Sequence, residues 1–296
     1  MTEFQFERPE NFDIVQIFDC GQCFRFDAVG DSLTSQPSTK VYEGVAFGDY
    51  IKIEQDEKTV KILSSGNTPE PEKWKDFLDL GTDYAGISSS FSDDPVLSKA
   101  ARFASGIRIL KQDKWETLCS FIISQNNNIP RIKGIISAMS RRFGNKVFES
   151  EDGREFYSFP AAKALYDAGE DEIFALKTGF RAKYIFDAAK RVCENPFFLT
   201  EVSGLDTPDA AELLKQIRGV GDKVAACTLL FGFSRYDAFP IDVWVKKILA
   251  KYYPNGAAGH LSGKYAGIAQ QYLFYFERCA SGVFISSNRQ EAVQTG

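Results

Sequence analysis

Histidine is almost missing from this chain: His260 is the only one among 296 residues. It lies in a Gly/Ala-rich stretch, NGAAGHLSG, and a lone histidine in such a loop argues against Ser-His-Asp or Cys-His chemistry. Cysteine occurs six times, at Cys20, Cys23, Cys119, Cys193, Cys227 and Cys279. Only Cys20-Gly-Gln-Cys23 is closely spaced, as half a zinc site or a redox pair would be. With no second C-x-x-C and a single histidine, four zinc ligands cannot be assembled, and no metal centre of that kind is expected. Scattered cysteines without a framework favour a reducing compartment. Long apolar runs are lacking too, since none approaches the roughly 20 residues that span a membrane. The N-terminal MTEFQFERPENFD is acidic and has no charged-then-apolar signal pattern. Repeats, low-complexity stretches and basic targeting runs are absent. These absences predict a soluble protein, with no membrane partner, that stays in the compartment where it is made.

What is present is ordinary for a globular chain: 44% hydrophobic and 25% charged residues, in a length that suits two domains or one large one. The net charge of −5 argues against nucleic acid until its distribution is read. The first hundred residues carry 19 acidic and 9 basic side chains, and the remainder 21 and 26. Nucleic-acid affinity depends on a local basic surface rather than on the total.

The first hundred residues read mostly as strands and turns. Cys23–Phe26, Val41–Phe47, Tyr50–Glu54 and Val60–Leu63 are short β-rich runs, with Gly48-Asp49 as a turn signal. From about Lys73 the spacing turns helical. Helical runs are Lys114–Ile123, Arg131–Met139 behind Pro130, Ala161–Ala168, Glu170–Leu176, Ala182–Cys193, Asp209–Ile217, Lys223–Phe231, Val243–Lys251 and Tyr265–Ala280. The pattern predicts an α+β protein: an N-terminal antiparallel β-sheet domain over residues 1–100, including the start of the helical part, packed on a mainly helical domain over 101–285, with a flexible tail at 286–296.

The most informative stretch is Leu213–Ala226, LLKQIRGVGDKVAA, followed by Phe239-Pro240-Ile241-Asp242. Gly219-Val220-Gly221 is a tight turn between two apolar helical runs. A Gly-x-Gly turn that opens a helix points backbone N–H groups outward, where they bind phosphate. Lys223 stands where the second helix begins. A lysine there, with the Asp242 carboxylate from the next loop, suits a nucleophilic amine acting beside a DNA backbone. Asp242 also reads as the N-cap of Val243–Lys251.

This hairpin, loop and aspartate resemble the helix-hairpin-helix glycosylase superfamily. Further segments in family order resemble its 8-oxoguanine DNA glycosylase branch: Gly21-Gln22-Cys23-Phe24-Arg25, then Asn126-Asn127-Asn128-Ile129-Pro130-Arg131-Ile132, then Gly179-Phe180-Arg181-Ala182, then Lys223 with Cys227 four residues on, then Tyr265–Gln270 leading to Phe274. The match spans roughly residues 4–275. The resemblance implies that Lys223 attacks the deoxyribose C1′, expels the damaged base and forms a Schiff base, while Asp242 stabilises positive charge on the sugar. A free lysine has a pKa of about 10.4, so the reacting amine must first lose its proton. Gly21 would offer its carbonyl to the N7–H that 8-oxoguanine has and guanine lacks. Cys227 and Phe274 would sandwich the flipped base, and Gln270 would contact its Watson–Crick edge. Asn126, Arg131 and Arg181 would read the base left behind, usually cytosine, with Phe180 wedged into the gap. Gly219, Val220, Gly221 and Trp244 would meet the DNA backbone.

The partner so implied is double-stranded DNA containing 8-oxoguanine, bound by a monomer. No organic cofactor is expected, and a monovalent cation could sit on hairpin carbonyls around Gly219 and Gly221. No C-terminal cluster of four cysteines is present, which excludes the iron–sulfur cluster of some superfamily relatives. Residence would be cytoplasmic, at the nucleoid of a bacterial-type cell, or nuclear in a eukaryote. The chain departs from the familiar mammalian pattern at several places. Arg218 replaces a proline, Asp222 a threonine, Trp244 a phosphate-contacting histidine and Phe180 a tyrosine; Cys20 and Cys23 replace serines. Three other readings stand beside this one. An alkylated-base glycosylase of the same superfamily would generally lack the lysine. A non-catalytic DNA-binding module would be indifferent to Lys223→Gln. A Schiff-base lyase for small carbonyl compounds would leave the hairpin and the Asn/Arg segments unexplained.

Overall fold

A computed structural model describes residues 1–30, 39–256 and 259–281. The expected tail at 286–296 lies outside the described residues. The chain opens with β1 (Thr2–Glu7), the short helix α1 (Ile14–Asp19), then β2 (Phe26–Ala28), β3 (Lys40–Ala46), β4 (Asp49–Gln55) and β5 (Thr59–Ser64). The five strands form one antiparallel sheet in the order β1-β5-β4-β3-β2. Alternation explains it: Ile51, Ile53, Val60 and Ile62 are fully buried on one face, while Lys52, Glu54, Thr59, Lys61 and Leu63 are partly exposed. β3 and β4 join through Phe47-Gly48, both at positive φ (51° and 81°), the turn whose twist matches that of the strands.

α2 (Pro71–Phe77) starts on a proline and lays Trp74 and Phe77 against Phe12, Phe18 and Phe26, closing the sheet's core. The chain then enters a second, larger core with α3 (Tyr84–Ser89) and α4 (Pro95–Phe103). α5 (Lys114–Ser124) runs through its middle, with Trp115 and every residue from Thr117 to Ile123 buried. Around it lie α6 (Ile129–Phe143), the hairpin β6 (Lys146–Glu149) and β7 (Glu155–Tyr157), α7 (Ala162–Ile173), α8 (Ala182–Glu194), α9 (Phe198–Gly204), α10 (Thr207–Lys215), α11 (Asp222–Gly232), α12 (Val243–Tyr252) and α13 (Ala266–Ala280). α7 breaks at Gly169, where φ is +81°, so the two expected helical runs meet at a kink. Among the described residues no helix is long and apolar enough to cross a membrane.

Three features differ from the sequence reading. Of Cys23–Phe26, expected as a strand, residues 23–25 are irregular, and β2 starts only at Phe26. β1 was not singled out, although Phe4 and Phe6 pair with Ile62 and Val60. The β6–β7 hairpin was not singled out either; its Phe148 stacks on Tyr50 at 4.1 Å and its Phe156 meets the same ring edge-on at 4.6 Å, which binds it to the sheet.

Two polar knots tie the cores together. Gln22 is fully buried; its amide donates to the carbonyls of Ile17 (2.9 Å) and Arg108 (2.8 Å), and its oxygen accepts from the Leu110 amide at 2.9 Å. Asp79, also fully buried, accepts from the hydroxyls of Tyr84, Tyr236 and Thr82 at 2.7–2.8 Å, while Arg108 donates to its carbonyl.

Candidate active site

The hairpin between α10 and α11 forms where expected. Gly219 has φ +81°, and a Cβ there would lie 2.4 Å from the Tyr184 ring, so both the turn and the close approach of α8 require glycine. Val220 is buried and anchors the turn, while Gly221 caps α11 from an open position. Lys223 therefore sits in the first turn of α11. Its amine donates to the Ser124 hydroxyl at 3.0 Å and lies 5.2 Å from the Phe121 ring, so the end of α5 fixes its direction.

Cys227, one turn further along α11, is buried. Burial pushes its thiol up to about 11; the Lys223 ammonium pulls the other way and Asp242 adds to the rise. Lysine, thiol and carboxylate thus share one electrostatic neighbourhood. Asp242 caps α12, accepting from the amides of Trp244 (2.9 Å) and Val245 (2.8 Å) through Oδ1. A cap holds the carboxylate rigid and keeps it an acceptor.

Gly21 has φ +82°, and a Cβ there would meet Phe274 at 3.6 Å, an ordinary contact. The positive φ, not crowding, calls for glycine, and the turn lies against the Phe274 ring. Gln270 is buried on the same face of α13 as Phe274, and its Oε1 has no hydrogen-bond partner. A buried amide oxygen without a partner is costly unless a ligand supplies the donor. Next to Gly21 opens a cavity of about 590 Å³, lined also by Asp19, Cys23, Asn128, Trp244 and Arg278 among others; Cys227, Gln270 and Phe274 are not in its lining, and Lys223 lines a separate cavity with Asp222 and Ile241. The size of the cavity beside Gly21 suits a nucleobase with part of its sugar.

The Asn126 loop adjoins the cavity, whose lining includes Asn127 and Asn128. Asn126 is exposed, with φ +48°, and Asn128 caps α6 through the Arg131 amide. Arg131 is exposed and reaches the Lys177 carbonyl at 3.3 Å. Arg181 is 2% exposed and donates to the carbonyls of Gln125, Asn126 and Thr178. In the free protein its guanidinium therefore holds the Asn126 loop in shape. Its neighbour Phe180 is 47% exposed, with the Arg181 guanidinium 4.4 Å from its ring, and forms an apolar wedge at the surface. Arg278, which the sequence reading did not single out, packs between Trp244 and Phe274. Its sequence signal would have been the helical spacing of four from Phe274.

Among the described residues no group of three or more His, Cys, Asp or Glu side chains could hold a metal ion. Backbone carbonyls at the hairpin are the hard oxygen donors that a monovalent cation takes; that of Gly221 already accepts from the Ala225 amide at 2.9 Å and keeps one lone pair.

Residues 5–118 match the 8-oxoguanine DNA glycosylase N-terminal domain, and residues 119–260 the HhH-GPD superfamily of base excision DNA repair proteins. The N-glycosylase/DNA lyase OGG1 of Arabidopsis thaliana is 33% identical over 236 residues, 73% of this chain; the chain spans 64% of that relative's length. Among solved structures, the Clostridium acetobutylicum 8-oxoguanine glycosylase/lyase, in complex with double-stranded DNA containing cytosine opposite 8-oxoG, is 36% identical with a TM-score of 0.82. The match covers 94% of this chain and 98% of that one. MBOgg1 in complex with a low-affinity DNA ligand is 38% identical with a TM-score of 0.86, over 95% and 97% of the two chains. Both parts of the fold thus have counterparts at this identity, and the chain belongs to the 8-oxoguanine DNA glycosylase family of the HhH-GPD superfamily.

Proposed function

We propose that this protein is a bifunctional N-glycosylase and DNA lyase that flips 8-oxoguanine out of duplex DNA, excises it and nicks the strand. The observation that carries the reading is the placement of Lys223: an amine at the hairpin, aimed by Ser124 and sharing its surroundings with Cys227 and Asp242. The hairpin amides hold phosphate, which brings the sugar of the extruded nucleotide to that amine. The neutral amine bonds to C1′ as the glycosidic bond breaks and the electron pair leaves with the base, which takes up a proton. Asp242 stabilises the cationic sugar formed on the way. Ring opening gives the Schiff base. Loss of a C2′ proton then expels the 3′ phosphate, and water releases the lysine.

Gln270 meets the base edge with its unpartnered oxygen, and Cys227 and Phe274 form the walls. The Gly21 carbonyl discriminates the lesion through its N7–H. Phe180 fills the gap, while Asn126, Arg131 and Arg181 serve the opposite strand. No organic cofactor enters, because the lysine supplies the covalent step. A monovalent cation on the Gly219 and Gly221 carbonyls would strengthen the phosphate grip. The protein acts as a monomer.

The test is borohydride trapping on a duplex carrying 8-oxoguanine opposite cytosine. The expected result is a covalent adduct with the parent protein and none with Lys223→Gln. Base release without an adduct would transfer the chemistry to water activated by Asp242, and binding without release would leave a DNA-binding module.

A further inference from the structure

Along α6 and α7 most cations are neutralised in place: Lys133 pairs with Asp27, Arg142 with Glu172 and Lys163 with Asp167. The cations around the exposed Phe180 ring are not. Among the described residues Arg131, Lys177 and Arg181 form no ion pair. Burial lowers the Arg181 guanidinium and the Arg131 charge lowers it further, so like charges crowd here without compensation. Arg181 spends its donors on the carbonyls of Gln125, Asn126 and Thr178, and Arg131 donates to the Lys177 carbonyl at 3.3 Å. Lys177 is exposed, and its ammonium has no partner among the described residues. Its backbone stands at φ +62° and ψ +25°, in the turn Phe174–Thr178 that continues α7. Glycine adopts that left-handed conformation freely, whereas a lysine there is strained. The surroundings hold it: the Thr178 hydroxyl donates to the Ile173 carbonyl at 2.9 Å, and Arg181 to the Thr178 carbonyl at 3.1 Å.

We propose that Lys177 grips a phosphate of the undamaged strand, beside the base that flipping leaves unpaired. The choice of strand rests on the proposed function, in which Phe180 fills the gap and Arg131 serves the opposite strand; contact with a phosphate requires duplex DNA alone. An apolar ring that enters the stack brings the neighbouring backbone down onto the surface around it. A crowded, uncompensated group of cations at that surface is stabilised by a polyanion. Within the group the roles divide. Arg181 is turned inward and shapes the Asn126 loop, and Arg131 commits one N–H to the Lys177 carbonyl. The Lys177 ammonium keeps three donors on a flexible stem, which suits a phosphate oxygen from several directions. Because the Lys177 carbonyl also steadies Arg131, the phosphate grip and the group that meets the opposite base are coupled.

The test measures binding against salt concentration with the Lys223→Gln protein, which keeps the lesion intact. The duplexes carry 8-oxoguanine or guanine opposite cytosine. Adding Lys177→Gln should weaken lesion binding about five-fold and lower the log–log salt slope by about one. Adding Lys177→Arg instead should keep the slope. Lys177→Gly separates charge from backbone: its denaturant midpoint should rise as the strained φ is relieved, while its binding falls as far as that of Lys177→Gln. Methylphosphonate linkages, which carry no charge, locate the phosphate. Beside the cytosine of the undamaged strand they should weaken binding by the Lys223→Gln protein and barely affect the protein that also carries Lys177→Gln. In the lesion strand they should weaken both alike. An unchanged slope in Lys177→Gln, a Lys177→Gly protein that binds like the Lys223→Gln protein alone, or a Lys177→Gln protein indifferent only to the lesion-strand linkage would overturn the assignment. A Lys223→Gln protein with no preference for the lesion would overturn the glycosylase reading instead, and the slope change on the guanine duplex would still decide the phosphate contact.

Discussion

Asp242 serves two purposes that one substitution pair separates. As a cap it accepts from two amides, and in the proposed reaction its charge would serve the sugar. Asparagine keeps the cap and loses the charge, whereas alanine loses both. Asp242→Asn should unfold within about 0.5 kcal/mol of the parent, and Asp242→Ala about 1 kcal/mol below it. Single-turnover base release should fall steeply in both. If Asp242→Asn released the base at the parent rate, Asp242 would be a cap and nothing more. Glu116 gives a pH prediction at the same scale. Burial pushes its carboxyl up to about 7; Arg25, 3.8 Å away, pulls down and Asp113 adds to the rise. The unfolded chain loses that proton near the ordinary 4.5. Between these values the folded state binds more protons, so stability falls as pH rises from about 4.5 to about 7. Glu116→Gln removes that contribution. Its urea midpoint relative to the parent should be higher at pH 7.5 than at pH 5, and equal offsets at the two pH values would show that the buried carboxyl is not the cause.

At the scale of elements, the two hairpin glycines look alike in sequence and are not alike in structure. Alanine at 219 would face the Tyr184 ring at a positive φ, whereas alanine at 221 would face open space at φ −104°. Gly219→Ala should cost at least about 2 kcal/mol and abolish DNA binding, and Gly221→Ala less than about 1 kcal/mol. Denaturant midpoints and a binding titration read both, and equal costs would mean that the Tyr184 contact yields. The contrast shows what the sequence could reveal. Turn, lysine and capping aspartate follow local rules, so Gly219–Lys223 and Asp242 were legible. So were the β3–β4 hairpin, from its alternation, and most of the helices, from their spacing. β6 and β7 escaped because strands of four and three residues hold no period; stacking on Tyr50 makes them, from about a hundred residues away in the chain. The irregular backbone at Cys23–Arg25 escaped because the preceding Gln22 is held by the Ile17 and Arg108 carbonyls rather than by β-alternation. Arg181 is a related case: its motif pointed to DNA, but only the fold shows its donors on the Gln125, Asn126 and Thr178 carbonyls. The meeting of Arg278 with Trp244 depends on the crossing of α12 and α13, which no spacing rule records.

For the whole molecule, the cavity lies beside the junction of the sheet core and the helical core, so its shape depends on how firmly they are joined. The chain crosses between them more than once: Phe12 and Trp74 belong to the sheet's core, Cys20 and Tyr84 to the helical one. Asp79 ties the end of α2 to Tyr84 and to Tyr236, six residues before Asp242. A buried carboxylate with three hydroxyl donors cannot be removed without stranding those donors. Asp79→Ala should therefore cost about 3 kcal/mol although the residue lies outside the reacting groups. The interlaced chain also predicts how that loss appears. Trp74 sits in the sheet core and Trp115 in the helical one, so tryptophan fluorescence reports on both, and far-ultraviolet circular dichroism is dominated by the helices. If the cores unfold as one body, the two signals should give coincident denaturant curves in the parent and in Asp79→Ala, with only the midpoint displaced. A fluorescence transition preceding the loss of helix would show that the knot at Asp79 joins two independently stable units. The cavity between them would then open by separation of the cores rather than by local movement of its walls.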